Sequence, residues 1–402
     1  MLPFEKAIIK EEVEIIDVVE EVQNIKVEKN EKSGEAVNTN NVEADVTQSV
    51  EKTCNMTTTI NTVYFEHKES SDDQSNSEAS TSQTKCPTES HPDLNAVGPR
   101  QFVQQNNSTD QILTALRFYA VGCYQGSIAE QWDIATSQPS VSRCVRKVSN
   151  AINELLLRQW VRFPMTNEER FIVKEKFRTA PQPFIGAIGA IDCTHVNIIA
   201  PREHEEAYVN HWGDHSLNVQ AICDPDLKIL NVNARYPGAR HDAYIWSNSP
   251  VRRVMERRFE NGERNTWLIG DDGYGLEPWL MTPLKHEVPG SPRYRYNDDL
   301  CSARSCVERL FGVWKSVFRC LSAQRQLMYE PGMAGKIVNA CAVLHNMRIA
   351  HRIYDIDLDE DFIHDLNRQN IFENEDRQYE YQGRATAIRI QERFIARQYG
   401  RD

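Results

Sequence analysis

Four carboxylates in this chain stand where acids can do chemistry. Asp192 ends the apolar run 184–192 (FIGAIGAID). Asp242 follows Tyr236-Pro237-Gly238-Ala239-Arg240-His241, a loop leading into helical sequence. Asp271, with Asp272 beside it, follows the strand-like Trp267-Leu268-Ile269. In open α/β sheets, strand and loop ends of this kind form the edge where sites are built. Glu308 is different, because it lies inside the helical stretch SARSCVERLFGVWKSVFRCL. There Val307, Phe311, Trp314 and Phe318 make an apolar stripe, and Glu308, Gly312, Lys315 and Arg319 recur on the same period as a second face. Such a face offers one metal-seeking acid, one residue without a side chain, and two cations for phosphates. Hard divalent cations such as Mg²⁺ or Mn²⁺ take oxygen ligands. Acids beside Lys and Arg are the pattern of two-metal phosphoryl transfer. Salt-bridged acids and a plain solvated helix face fit the same residues. Paired carboxylates also serve glycoside hydrolysis, but the cationic helix face favours an anionic substrate.

The elements that must position these acids are legible in outline. Residues 181–350 read as α/β, with strands over 184–192, 195–200, 217–223, 229–234 and 266–270. Helices are expected over 242–259, 303–321 and 334–352, with a turn at Asp224-Pro225-Asp226. Strands first, then helices alternating with a strand, predict a mixed sheet flanked by helices. Upstream, residues 108–163 read as a small all-α unit. A helix capped by Ser108 or Thr109 runs to Gly122, and a short one covers 127–132. After a break, a third begins near Pro139 with Ser137 as its N-cap. Val141, Val145, Val148 and Ile152 line its buried side. This is the helix-turn-helix pattern. Its exposed side would carry Gln138, Ser140, Ser142, Arg143, Arg146 and Lys147, types that suit base edges and phosphates. A helical bundle with a solvated polar face reads the same way.

Charge divides the chain. Of 402 residues, 46 are Lys or Arg and 58 Asp or Glu, a net of −12. Residues 1–100 hold 9 and 20 of these, a net of −11, and residues 101–402 are nearly balanced. The acidity therefore belongs to an N-terminal tail, whose Ser/Thr/Asp/Glu-rich composition predicts disorder. Residues 351–402 read as a partly ordered helical tail. No apolar run approaches the length of a membrane span. The N-terminus turns acidic at once, so no secretory signal is expected. Ten cysteines without a CxxC pair suit free thiols in a reducing compartment.

Five motifs together resemble the PIF/Harbinger superfamily of DDE transposases and the domesticated Harbinger-derived nucleases of animals. They are Ala190-Ile191-Asp192-Cys193-Thr194-His195, Tyr236 to Asp242, Gly270-Asp271-Asp272-Gly273-Tyr274 with Pro278 to Pro283, Arg304 to Gly312, and Leu344-His345-Asn346. The resemblance spans residues 108–350, including Gln138-Pro139-Ser140-Val141-Ser142-Arg143. It implies an RNase H-like DDE endonuclease core and divalent metal ions that activate water or a DNA 3′-hydroxyl for attack on a phosphodiester. By motif, the triad is Asp192, Asp271 and Glu308, with Asp242 a fourth metal-site acid. Asp271 is favoured over Asp272 because the motif's acid directly follows Gly270. Lys315 and Arg319 would grip phosphates, and DNA is the expected partner. The resemblance also implies a Myb-like DNA-binding partner that aids nuclear import, a homodimer, and a nuclear location with the cytoplasm also open. The alternative is a catalytically silent domesticated transposase serving as a DNA-binding or scaffolding adaptor.

Overall fold

Alternation gives way to a continuous apolar run in β1 (Ala187–Asn197), the mark of a strand covered on both faces. Ala187, Ile188, Ala190 and Ile191 have no exposed surface. Gly189 permits this packing, since a Cβ there would come within 2.6 Å of Ile222 and 2.9 Å of Leu268. A computed structural model describes residues 108–122, 124–129, 136–352 and 383–400. The acidic stretch 1–100, the first half of the break expected at 134–137, and residues 353–382 lie outside the described residues.

The sheet has the order β3-β2-β1-β4-β5. Strand β2 (Ser216–Cys223) pairs antiparallel with β1, and β3 (Ile229–Pro237) antiparallel with β2. On the other side, β4 (Trp267–Ile269) and β5 (Leu280–Met281) run parallel to β1. The two strands expected over 184–192 and 195–200 are thus one strand, and β5, only two residues long, leaves no periodic signal.

In chain order the helices are α1 (Ser108–Val121), α2 (Gln125–Ala129), α3 (Gln138–Leu155), the short α4 (Leu157–Trp160) and α5 (Asn167–Thr179). They continue with α6 (Asp242–Ser247), α7 (Pro250–Glu260), α8 (Pro292–Val317), α9 (Pro331–Ala350) and α10 (Arg384–Tyr399). The chain divides into two units, one holding residues 124–143 and those before 115, the other 115–123 and 144–402. In the first unit, Gln138 donates to the side-chain oxygen of Gln125, and Arg143 donates to Ser140 at 2.8 Å. Helix α3 runs on into the second unit, and Val141 of the first and Val145, Val148 and Ile152 of the second are all buried, as the helical period required.

The rest belongs to the second unit. Helix α5 went unanticipated, although Thr166-x-x-Glu169 is a capping box: Thr166 accepts from the Glu169 amide, and Glu169 accepts from the Thr166 amide at 3.0 Å. The helix expected over 242–259 is two, because Ser249 caps a new start at Pro250. Helix α8 begins earlier than expected, at the Ser291 cap and Pro292, and packs on β1 and β2. Its buried Leu300, Ala303, Val307, Leu310 and Trp314 recur every three or four residues. Helix α9 packs on β3. Its Asn346 accepts from the Ile229 amide and donates to the carbonyls of Ile229 and Trp160, pinning the start of β3. His345, fully buried, contacts the Leu227 carbonyl at 2.9 Å and is a core histidine. Among the described residues no helix is long and apolar enough to cross a membrane.

Candidate active site

The parallel ladder between β1 and β4 ends at Ala190–Ile269. Asp192 is therefore not at a strand end, as its sequence suggested, but mid-strand beside the point where its neighbour departs. There the chain turns through Gly270 and delivers Asp271. A Cβ on Gly270 would sit 3.0 Å from the Tyr274 ring, so the turn is close-packed. Asp271 holds its own loop by accepting from the Gly273 amide at 3.1 Å. Asp192 and Asp271 are each 8% exposed, whereas Asp272 is exposed.

Asp242 opens α6 after β3 and is half-buried. The Asn218 amide on β2 donates to its carboxylate at 2.8 Å and to the Arg240 carbonyl at 2.8 Å. The electrostatics show that three aspartates share one locale. Burial, then Asp271 and Asp242, push the Asp192 carboxyl well above the carboxylate range, against the pull of Arg304. Burial and Asp271 push Asp242 up to about 6, against its hydrogen bonds from Asn218 and Cys193. Burial, then Cys193, whose sulfur lies 3.4 Å away, and the three aspartates raise the Tyr274 hydroxyl. Asp271 acts on both Asp192 and Asp242 and is buried, whereas Asp272 is exposed, so the inward acid of the pair is Asp271.

Glu308 joins the group through a residue to which the sequence reading gave no role. Arg304 donates to Asp192 at 2.7 Å and to Glu308, one helical turn away, at 2.5 Å. Desolvation opposes its charge, but Asp192, Glu308 and Asp271 together hold the guanidinium above its ordinary range. The i, i+4 spacing of Arg304 and Glu308 was visible in the sequence as a helix pair. Its reach across to β1 was not.

Lys315 and Arg319, expected to grip phosphates, do not share an exposed face of α8. Lys315 is 3% exposed and donates to the His195 carbonyl at 2.8 Å, so its charge faces the sheet. Arg319 is not on the α8 face at all: the helix ends at Val317, and Arg319 begins a separate 3-10 turn. His195 contacts Ser216 at 2.8 Å, and burial with the nearby Lys315 lowers it to about 3, leaving it neutral. Tyr274 and Trp279 are buried, 3% and 1% exposed. In α3, Gln138, Arg143, Arg146 and Lys147 are exposed and Ser140 is partly so. Arg146 pairs with Glu330 at 3.3 Å.

The donor chemistry suits a hard divalent cation: four carboxylates, two of which, Asp192 and Glu308, are bridged by Arg304. Among the described residues no three or more His, Cys, Asp or Glu side chains are grouped so as to hold a metal ion. Between Asp192 and Glu308 stands the Arg304 guanidinium.

A mixed sheet flanked by helices, with aspartates at the edge of its parallel pair and a glutamate on the helix behind, fits the core of a DDE endonuclease. Residues 191–346 match the family model described as DDE superfamily endonuclease. The chain belongs to the Harbinger-derived DDE nuclease family. It is 36% identical over 261 residues to the Homo sapiens protein titled "Putative nuclease HARBI1", covering 64% of this chain and 72% of that one. The Xenopus laevis protein of the same title is 36% identical over 251 residues, 62% of this chain and 69% of that one. "Protein ALP1-like" of Arabidopsis thaliana is 25% identical over 269 residues, 62% and 64% of the two chains. No solved structure matches.

Proposed function

We propose that this chain is a divalent-metal-dependent DNA endonuclease of transposase origin, built on an RNase H-like core. The observation that carries it is the Arg304 guanidinium held between Asp192 on β1 and Glu308 on α8, with Asp271 buried where the parallel pair ends and Asp242 fixed by Asn218 on β2. Acids held together against their own repulsion favour a site evolved to take positive charge. Asp192, Asp271 and Glu308 would hold Mg²⁺ or Mn²⁺, with Asp242 beside them. When bound, the metal would lower the pKa of water and stabilise charge developing on a phosphodiester. The chain's own part is orientation. Asn218 fixes the Asp242 carboxylate, the Gly273 amide fixes Asp271, and the Cys193 amide donates to Asp192 at 2.8 Å.

The experiment is incubation of the purified chain with supercoiled DNA and Mn²⁺. Nicking is expected, with a loss of about 10³-fold or more in Asp192→Ala and Glu308→Ala. Cutting unchanged by either substitution overturns the assignment. A second reading, a silent DNA-binding adaptor, is favoured by the same guanidinium, which already neutralises two of the acids. Tight binding without cutting at any metal concentration would support it.

A further inference from the structure

Arg240, two residues before Asp242 and joined to it through Asn218, is exposed, and no acid among the described residues pairs with it. Its guanidinium instead lies 4.8 Å from the ring centroid of Tyr244. That ring is 44% exposed and meets the Tyr236 ring edge-on at 6.1 Å. A cation parked on an aromatic face keeps its N–H edge free while giving up little side-chain freedom.

The backbone that carries Arg240 is fixed from three sides. Its amide donates to the Pro237 carbonyl at 3.0 Å, and the Gly238 amide to the Ser216 carbonyl at 2.8 Å. The Ala239 amide donates to the Ala207 carbonyl at 3.1 Å. Only glycine fits at 238, because a Cβ would fall 2.3 Å from the Ser216 hydroxyl and 2.7 Å from the Tyr208 carbonyl. Finally, one Asn218 amide group binds both the Arg240 carbonyl and the Asp242 carboxylate. The cation and the acid are therefore in fixed register.

An acidic site that acts on a polyanion needs cations at its rim, or the substrate is repelled. Lys315 points into the sheet, and Arg304 is occupied by two carboxylates. Arg240 has neither constraint. We propose that Arg240, braced by Tyr244, binds a backbone phosphate of DNA flanking the bond placed at the acid cluster. The proposal rests on the endonuclease reading for its substrate, and it concerns binding, not the chemical step.

The test is DNA affinity of the full chain by fluorescence anisotropy, in EDTA, over a salt series. For a duplex of about 30 base pairs, Arg240→Gln is expected to weaken binding about 5- to 10-fold and lower the salt slope by about one. Arg240→Lys should restore the slope but not the full affinity, since an ammonium cannot bind two phosphate oxygens in a fork. Tyr244→Ala should fall between, and Arg257→Gln, an exposed arginine on α7, serves as the control for general charge. Thermal melting confirms that each variant folds. Affinity and slope unchanged in Arg240→Gln, or a loss no larger than in Arg257→Gln, overturns the proposal. If the wild-type chain binds DNA but never cuts it, the endonuclease reading falls and the Arg240 comparison still decides this one. If the wild-type chain binds no DNA, both fall.

Discussion

Arg304 on α8 places one guanidinium nitrogen 2.7 Å from Asp192 on β1, while its other reaches Glu308 at 2.5 Å. One side chain thus links the strand acid and the helix acid and fixes the helix against the sheet at that point. A divalent cation taken by the same two carboxylates must compete with it. Arg304→Gln is expected to lower the melting point of the metal-free chain, by on the order of 2 kcal/mol in stability. That is less than the loss from a fully buried pair, because Glu308 is 31% exposed. It should also enlarge the thermal shift that Mn²⁺ produces. Differential scanning fluorimetry with and without Mn²⁺ reads both; an equal metal shift in variant and wild type would show no competition.

Asp271 and Asp272 are adjacent in sequence but differ in surroundings. Asp271 is buried and repels Asp192 and Asp242, while Asp272 is exposed. Asp271→Asn should cost about 10³-fold in nicking rate, and Asp272→Asn less than about 3-fold. Equal losses would place both acids at the reaction.

Asp242 gives a pH signature. Its carboxyl is raised in the fold to about 6 from 3.8 by burial and by Asp271. The folded chain therefore binds this proton more tightly than the unfolded chain. That stability is fully present below about pH 3.8 and is lost as pH rises through about 6. Asp242→Asn removes the titration, so the stability of the variant relative to wild type should rise between pH 4 and 6. Metal-free melting curves across that range measure it, and parallel curves for the two proteins would contradict the shift.

Lys315 tests a structural against a DNA-binding role. Its ammonium, 3% exposed, donates to the His195 carbonyl. Lys315→Met should destabilise the chain by about 1–3 kcal/mol, since a buried acceptor loses its partner. DNA affinity of the folded variant should stay within about 2-fold of wild type, because a charge that faces the sheet releases no counterion on binding. A clear loss of affinity at unchanged stability would return Lys315 to the DNA surface.

Much of the frame was legible because its signals are local. The apolar period of α8, the valine stripe of α3, and the turn at Asp224-Pro225 each lie within one turn or strand, and each is found where the pattern put it. The motifs that carry the acids also declared the family. Less was legible where the signal was faint or the break was local. The two-residue β5 has no period to read, and the division of α6 from α7 hangs on Ser249 and Pro250 alone.

The sequence by itself determined which acids this protein owns, the helix and strands that carry them, and the family to which they belong. Only the tertiary structure decided how they meet. That Asp192 lies mid-strand yet open depends on where β4 leaves β1. Whether a lysine on the Glu308 face sees solvent depends on how α8 is seated on the sheet, and Lys315 does not. Nor does spacing show that Arg304 crosses from a helix to a strand more than a hundred residues earlier in the chain, or that the Arg240 guanidinium lies over the Tyr244 ring. Periodicity records which side of an element is apolar. The partners of a charge are set by long-range packing, which brings together residues that no local pattern relates.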